Sequence, residues 1–196
     1  MTAILKVDTI QDTSGNNIIN ESSNTITIGK SGDAVNLASG ATNNLGITEA
    51  DQFRLTADLS AQATPISSNL ERVDDASFSK IGTGMSVSSG IFSFPSTGLY
   101  QILVKMSAYA PSVDNYYVET YATINNSSYD KIGRVGGSSD NSYENGQSES
   151  LFVNVTNTTN VKVKFQTDSL AGSSGVLGDT NYNRTTFTFI RLGDSQ

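Results

Sequence analysis

The side chains in this chain with potential for chemistry are carboxylates and tyrosines. Asp74, Asp75, Asp114, Glu144, Asp168 and Asp179 fall in Ser-, Asn- and Gly-rich segments or at the ends of apolar runs. Loops could gather such groups around calcium, a hard cation that takes about six to eight oxygen ligands. None of them follows the spacing of a helix-loop-helix calcium loop. Two carboxyls at a suitable separation could instead cleave a glycosidic bond, yet sugar-cleaving clefts use broad aromatic platforms and the chain has no tryptophan. The expectation is no bound cofactor, with calcium as the alternative and a glycan depolymerase as the least supported function.

Other catalytic designs are removed by what is missing. With no histidine and no cysteine, there is no imidazole to act as a base, no thiolate nucleophile and no ligand set for zinc. The stretch "IGKSGD" (Ile28–Asp33) contains Gly-Lys-Ser, but a phosphate-binding loop would need glycine where Asn24 stands, and a helix to follow. It reads as a turn, and the chain reads as a non-enzyme.

The tyrosines favour recognition over catalysis. Tyr116 and Tyr117 are expected in the core or on an assembly axis. Tyr129, Tyr143 and Tyr182 stand in or beside loops, where amphipathic rings can meet a glycan or a protein, and they are the candidate receptor contacts. Lysine plus arginine number 12 against 19 acidic residues, a net charge of −7, so nucleic acid is not an expected partner. No apolar run approaches the roughly 18 residues of a membrane span, and no membrane insertion is expected. The start of the sequence lacks the apolar core of a signal peptide, which suggests synthesis in the cytoplasm.

Such residues must be held by strands. Hydrophobic residues make up 36% of the chain, and abundant Ser, Thr, Asn and Gly disfavour long helices. Residues 1–50 suggest very short strands near Leu5–Ile10, Asn17–Ile19, Thr25–Ile28 and Ala34–Ala38, each with one narrow apolar face. One copy has too few of these faces to offset the cost of ordering the backbone, so copies from other chains are expected to close that core.

Residues 51–196 suggest longer strands. Tyr100, Ile102, Val104, Met106 and Ala108 alternate along one face, and Tyr116, Val118, Ala122 and Ile124 along another. Gly136–Gln147 reads as a loop, and Ser148–Ser169 as a hairpin joined through Asn157–Asn160. In the closing strand Phe187 and Phe189 share one face, with Ile190 and Leu192 opposite. Both faces then need cover, so Phe187, Phe189 and Ile190 are the candidate trimer contacts.

Two resemblances follow. Gly90, Phe92, Pro95, Gly98 and Tyr100 meet a G-x-F-x-x-P-x-x-G-x-Y pattern. With the closing Phe187 and Phe189, they make about Asp51–Asp194 resemble the complement globular-head family, relatives of tumour necrosis factor. That resemblance implies a jelly roll assembled as a trimer. The segment "ILKVDTIQDTSGNNIIN", with "TITIGKSGDAVNLASG", is similar to the start of fibre-like structural proteins of tailed bacteriophages, particularly cyanophages.

Together they imply a homotrimeric virion protein whose residues 1–50 bind other virion proteins or form a shaft. Residues 51–196 would then be a knob for a host-surface glycan or protein. A capsid decoration or tail-assembly protein is the alternative.

Overall fold

A computed structural model of the chain describes residues 9–11, 13, 14, 17–22, 25–28, 32, 46–170 and 174–196; of these, 17–22, 25–27, 111–114 and 139–143 are described by backbone alone. The chain divides into two compact units, Met1–Asn44 and Leu45–Gln196.

Strands this short survive only as neighbours in a ladder. In the first unit β1 (Thr9–Gln11), β2 (Asn17–Ser22) and β3 (Thr25–Ile28) form an antiparallel sheet in that order. Its register sets Ile10 opposite Ile19 and Ile19 opposite Ile28, so three isoleucines share one cross-strand row. Ile10 is 41% exposed and Ile28 is 55% exposed. The other expected strands, at Leu5–Asp8 and Ala34–Ala38, lie outside the described residues.

The second unit holds β4 (Ala50–Leu55), β5 (Leu70–Arg72), β6 (Ser86–Ser88), β7 (Ile91–Ser93), β8 (Gly98–Thr123), β9 (Asp130–Val155), β10 (Lys162–Asp168), β11 (Gly175–Val176) and β12 (Thr186–Gly193). These strands form one hydrogen-bonded sheet folded on itself. The start of β8 pairs with β12 and with the end of β9, and its second half pairs with β10 and with the start of β9. Two layers result, with strand orders β5-β4-β12-β8-β9 and β9-β8-β10-β7-β6. The ribbon of β8 and β9 belongs to both.

The expected alternation along β8 holds, with Tyr100, Ile102, Val104, Met106 and Ala108 all buried. Tyr116 and Val118 are buried from the other layer, while Ile124 lies just past the strand end and is 80% exposed. Between the layers, Phe92 touches Phe53, Phe165, Phe187 and Phe189 at ring-centroid distances of 5.1, 5.5, 6.4 and 5.2 Å. Edge-to-face and offset contacts of this kind add to the apolar burial.

The Gly/Pro corner passes the chain from β7 in one layer to β8 in the other. Gly90 has φ +78°, and a Cβ there would strike the Ile66 carbonyl. Gly98 has φ +153°, and its Cβ would strike the Arg191 guanidinium and lie 2.6 Å from the Gly193 oxygen. Both positions therefore require glycine.

Two expectations are corrected. Gly136–Gln147 is not a loop but the interior of β9, which runs from Asp130 to Val155. The facing strand β8 supplies backbone partners through most of that span, and ladder bonds do not depend on side-chain type. Ser148–Ser169 is not a hairpin either: the end of β9 pairs with β8 in one layer and β10 pairs with β8 and β7 in the other. Val153, Val155, Val161, Val163 and Phe165 all enter the same core, but from opposite sides.

Candidate assembly and attachment surfaces

The closing strand β12 separates the candidate trimer contacts. Phe187 and Phe189 are buried within one chain, and the Phe187 ring stacks on Phe165. Their placement as contacts between copies is therefore corrected: period-two alternation sends them into the sandwich, where the opposite layer already covers them. Ile190, one residue out of phase, is half-buried on the outward face.

That outward face runs across β9, β8, β12 and β4. Register places Phe152, Gln101, Ile190 and Ala50 in one row, and Ser150, Leu103, Thr188 and Gln52 in the next. Phe152 is 61% exposed and Leu192 46%, with Leu99, Leu103 and Ile190 half-buried. Gln52 Nε2 donates to Thr188 Oγ1 at 2.7 Å and Gln101 Nε2 to Ser150 Oγ at 2.9 Å, so the polar groups satisfy one another. A groove lined by Leu103, Lys105, Gln147, Ser148 and Thr188 opens here. Apolar side chains among polar groups that satisfy one another, Lys105 through the Asn183 carbonyl at 3.0 Å, suit association with a like surface.

At the far side of the same layer, buried Arg54 donates to Glu71 (2.6 Å), Asp75 (2.7 Å) and Asp74 (2.7 Å). Burial alone would lower the Arg54 pKa, but hydrogen bonds to Glu71 and Asp75 raise it overall. The other acids considered for calcium are also engaged. Glu144 pairs with Arg184, Asp168 lies 3.4 Å from Arg134, and Asp179 accepts from the Asn181 N–H at 2.8 Å. The Asp114 side chain lies outside the described residues. Among the described residues no group of three or more acids is placed to hold a metal ion.

The outward face of the second layer has a different character. On β8, Tyr117, Glu119 and Tyr121 point away from the core, flanked by Lys131 and Arg134 of β9 and by Lys164, Gln166 and Asp168 of β10. The Glu119 carboxylate is buried and accepts from Lys131, from Tyr121 Oη at 3.0 Å and from Gln166 Nε2 at 3.3 Å, with Arg134 Nε at 3.5 Å. Burial pushes this carboxyl up, and the bonds from Lys131 and Tyr121 more than offset that, holding it below the usual carboxylate range. The Arg134 guanidinium sits 3.3 Å from the Tyr117 ring centre. Lys164 Nζ lies 5.5 Å from the Tyr121 ring and 4.6 Å from the Tyr129 ring.

The candidate receptor tyrosines do not form one cluster. Tyr129 follows the β8–β9 turn beside Lys164, and its hydroxyl is shielded from solvent without a hydrogen-bond partner. Tyr182, 55% exposed, precedes β12 with Arg184 6.0 Å from its ring. The Tyr143 side chain lies outside the described residues. Of the two tyrosines expected in the core or on an assembly axis, Tyr116 is buried in the core, whereas Tyr117 points away from it beside Glu119 and Tyr121.

With this geometry in hand, the chain is similar in structure to murine APRIL at pH 5.0 (TM-score 0.56, 10% identity, covering 74% of this chain and 98% of that one). It is also similar to the Eiger TNF of S. frugiperda (TM-score 0.54, 13% identity, 75% and 94% covered). These likenesses show the fold: the chain is all-β, with a jelly roll of the tumour-necrosis-factor type. A weaker likeness, with a TM-score of 0.47 and 18% identity over 76% of this chain and 99% of the other, is to PRD1 vertex protein P5. No family model matches the sequence, and no curated protein matches it.

Proposed function

We propose that this chain is a non-enzymatic structural protein of a phage virion, assembled as a homotrimer. Its first unit engages other virion proteins or intertwines as a short shaft, and its jelly roll is displayed as a knob for attachment to the host surface. The observation that carries the assembly is the outward face of the first layer, where Phe152 and Ile190 stand beside the Gln101–Ser150 and Gln52–Thr188 hydrogen-bonded pairs and Leu192 is exposed. Each such side chain, once fully covered, contributes roughly 1.5–3 kcal/mol. The exposed Ile10 and Ile28 in one cross-strand row of the first unit ask for the same cover. The virion assignment rests on the fibre-like character of the first 46 residues. Three equal copies let weak contacts act together.

Sedimentation of the full chain tests the assembly. Three copies of 20.8 kDa give about 62 kDa, and a stable 20.8 kDa species at micromolar concentration would overturn it. Electron cryo-microscopy of the particle tests the display. A knob pointing to solvent supports attachment, whereas one covered by neighbours makes the chain a decoration or tail-assembly protein. Shortened chains after incubation with host polysaccharide would overturn the non-enzymatic part.

A further inference from the structure

The outward face of the second layer is cationic on a chain whose net charge is −7. Lys131, Arg134, Lys162 and Lys164 stand on β9 and β10 around the tyrosines, against two carboxylates on the same face, Glu119 and Asp168. The arrangement cancels only in part: Arg134 lies 3.4 Å from Asp168, but four cations face two carboxylates. Glu119 is buried, so it anchors Lys131 and Arg134 from beneath while their side chains remain 44% and 42% exposed. Lys164 has no carboxylate partner among the described residues and faces two aromatic rings instead. Cations held over rings in this way are positioned without being neutralised.

We infer that this face binds an acidic polysaccharide, a chain carrying carboxylate groups on its sugar units. The inference rests on the attachment reading above and names the ligand class and the surface for it. Lys131, Tyr121 and Lys164 stand in one cross-strand row, so two inter-strand spacings, about 10 Å, separate the flanking lysines. That matches the length of a disaccharide unit, and the half-buried Tyr121 stands between them. Tyr117 under Arg134 places a second ring and cation on the same face, four residues along β8 from Tyr121. Gln166, whose Nε2 donates to Glu119, leaves its amide oxygen as an acceptor for sugar hydroxyls on the same face.

Charge density argues for a polysaccharide over a nucleic acid. Duplex DNA carries a charge about every 1.7 Å and would extend past these strands on a chain whose net charge is −7. A carboxylated polysaccharide spaces its charges by whole sugar units, which suits isolated cations separated by rings.

The test is calorimetric titration of the full chain with polygalacturonate oligosaccharides, neutral dextran oligosaccharides and a short DNA duplex. Binding of polygalacturonate alone, weakening as salt rises, supports the inference. So does a tenfold or greater loss of affinity in Lys164→Glu with none in Lys80→Glu, whose lysine caps a distant loop by donating to the Gly82 and Thr83 carbonyls. No binding of polygalacturonate, equal binding of dextran, DNA binding of equal strength, or an unaffected Lys164→Glu would each overturn it. Should Lys164→Glu fail to fold, Gln166→Glu reads the same face with the same expected loss. Sedimentation on the same samples separates the two claims. A trimer that ignores polygalacturonate refutes only the ligand, and a monomer that binds it refutes only the assembly.

Discussion

The ring of Phe165 on β10 stacks on that of Phe187 on β12 with centroids 4.1 Å apart and planes inclined by 24°. One residue belongs to each layer, so the contact fastens the two faces of the sandwich at the centre of the Phe53, Phe92 and Phe189 cluster. Phe187 is therefore a core residue, and the outward side of the same strand is left to Ile190.

That division predicts opposite phenotypes from neighbouring positions. Phe187→Ala opens a cavity between the layers and should lower stability by about 3–5 kcal/mol, measured by denaturant unfolding. Ile190→Asp should keep the β-sheet circular dichroism of the parent and shift sedimentation from the trimer toward the 20.8 kDa chain. If Ile190→Asp remained trimeric, the proposed assembly face would be wrong.

Glu119 gives a pH dependence with a defined sign. Its carboxyl is held below the usual range in the folded chain, so the unfolded chain binds the proton more readily. The stability it contributes is present above the ordinary carboxylate pKa of about 4.3 and is lost as pH falls through the folded value. Glu119→Gln should unfold at a lower temperature than the parent at pH 7, and the gap should narrow as pH drops toward 3. A gap that stays constant over that range would remove Glu119 as its source. Glu144, also held low by Arg184, is present in both proteins and cancels in the comparison.

The Gly90–Tyr100 corner predicts a strict requirement at its second glycine. Gly98→Ala places a methyl group against the Arg191 guanidinium, whose Nε donates to the Thr97 carbonyl at 2.8 Å. With φ at +153° the backbone is also strained for any L side chain, at about 1–3 kcal/mol. Thermal unfolding should show that loss, and an unchanged midpoint would mean the corner relaxes around the methyl.

How much of this was legible depended on where the deciding information lay. The alternation from Tyr100 to Ala108 is local, and every one of those side chains is buried as the pattern requires. The corner was legible for the same reason, since Pro95 and Gly98 punctuate it between β7 and β8. Gly136–Gln147 was not, because its Gly, Ser and Asn residues signal a turn and the ladder partner that overrides them lies elsewhere in the chain. Leu151–Val155 and Val161–Phe165 show the alternation of a hairpin, but two strands facing one core from opposite layers show it equally. The lattice around Glu119 depends on Lys131, Arg134 and Lys164 arriving from two other strands, and no spacing along a single segment reveals that.

The β8–β9 ribbon runs unbroken through both layers, a property with mechanical meaning. Tension applied at the β8–β9 turn pulls both strands the same way, so the ladders that join β8 to β10 and to β12 are loaded in shear, many rungs together, and none is peeled singly. A knob gripped near that turn would resist drag as a seam resists being pulled lengthwise.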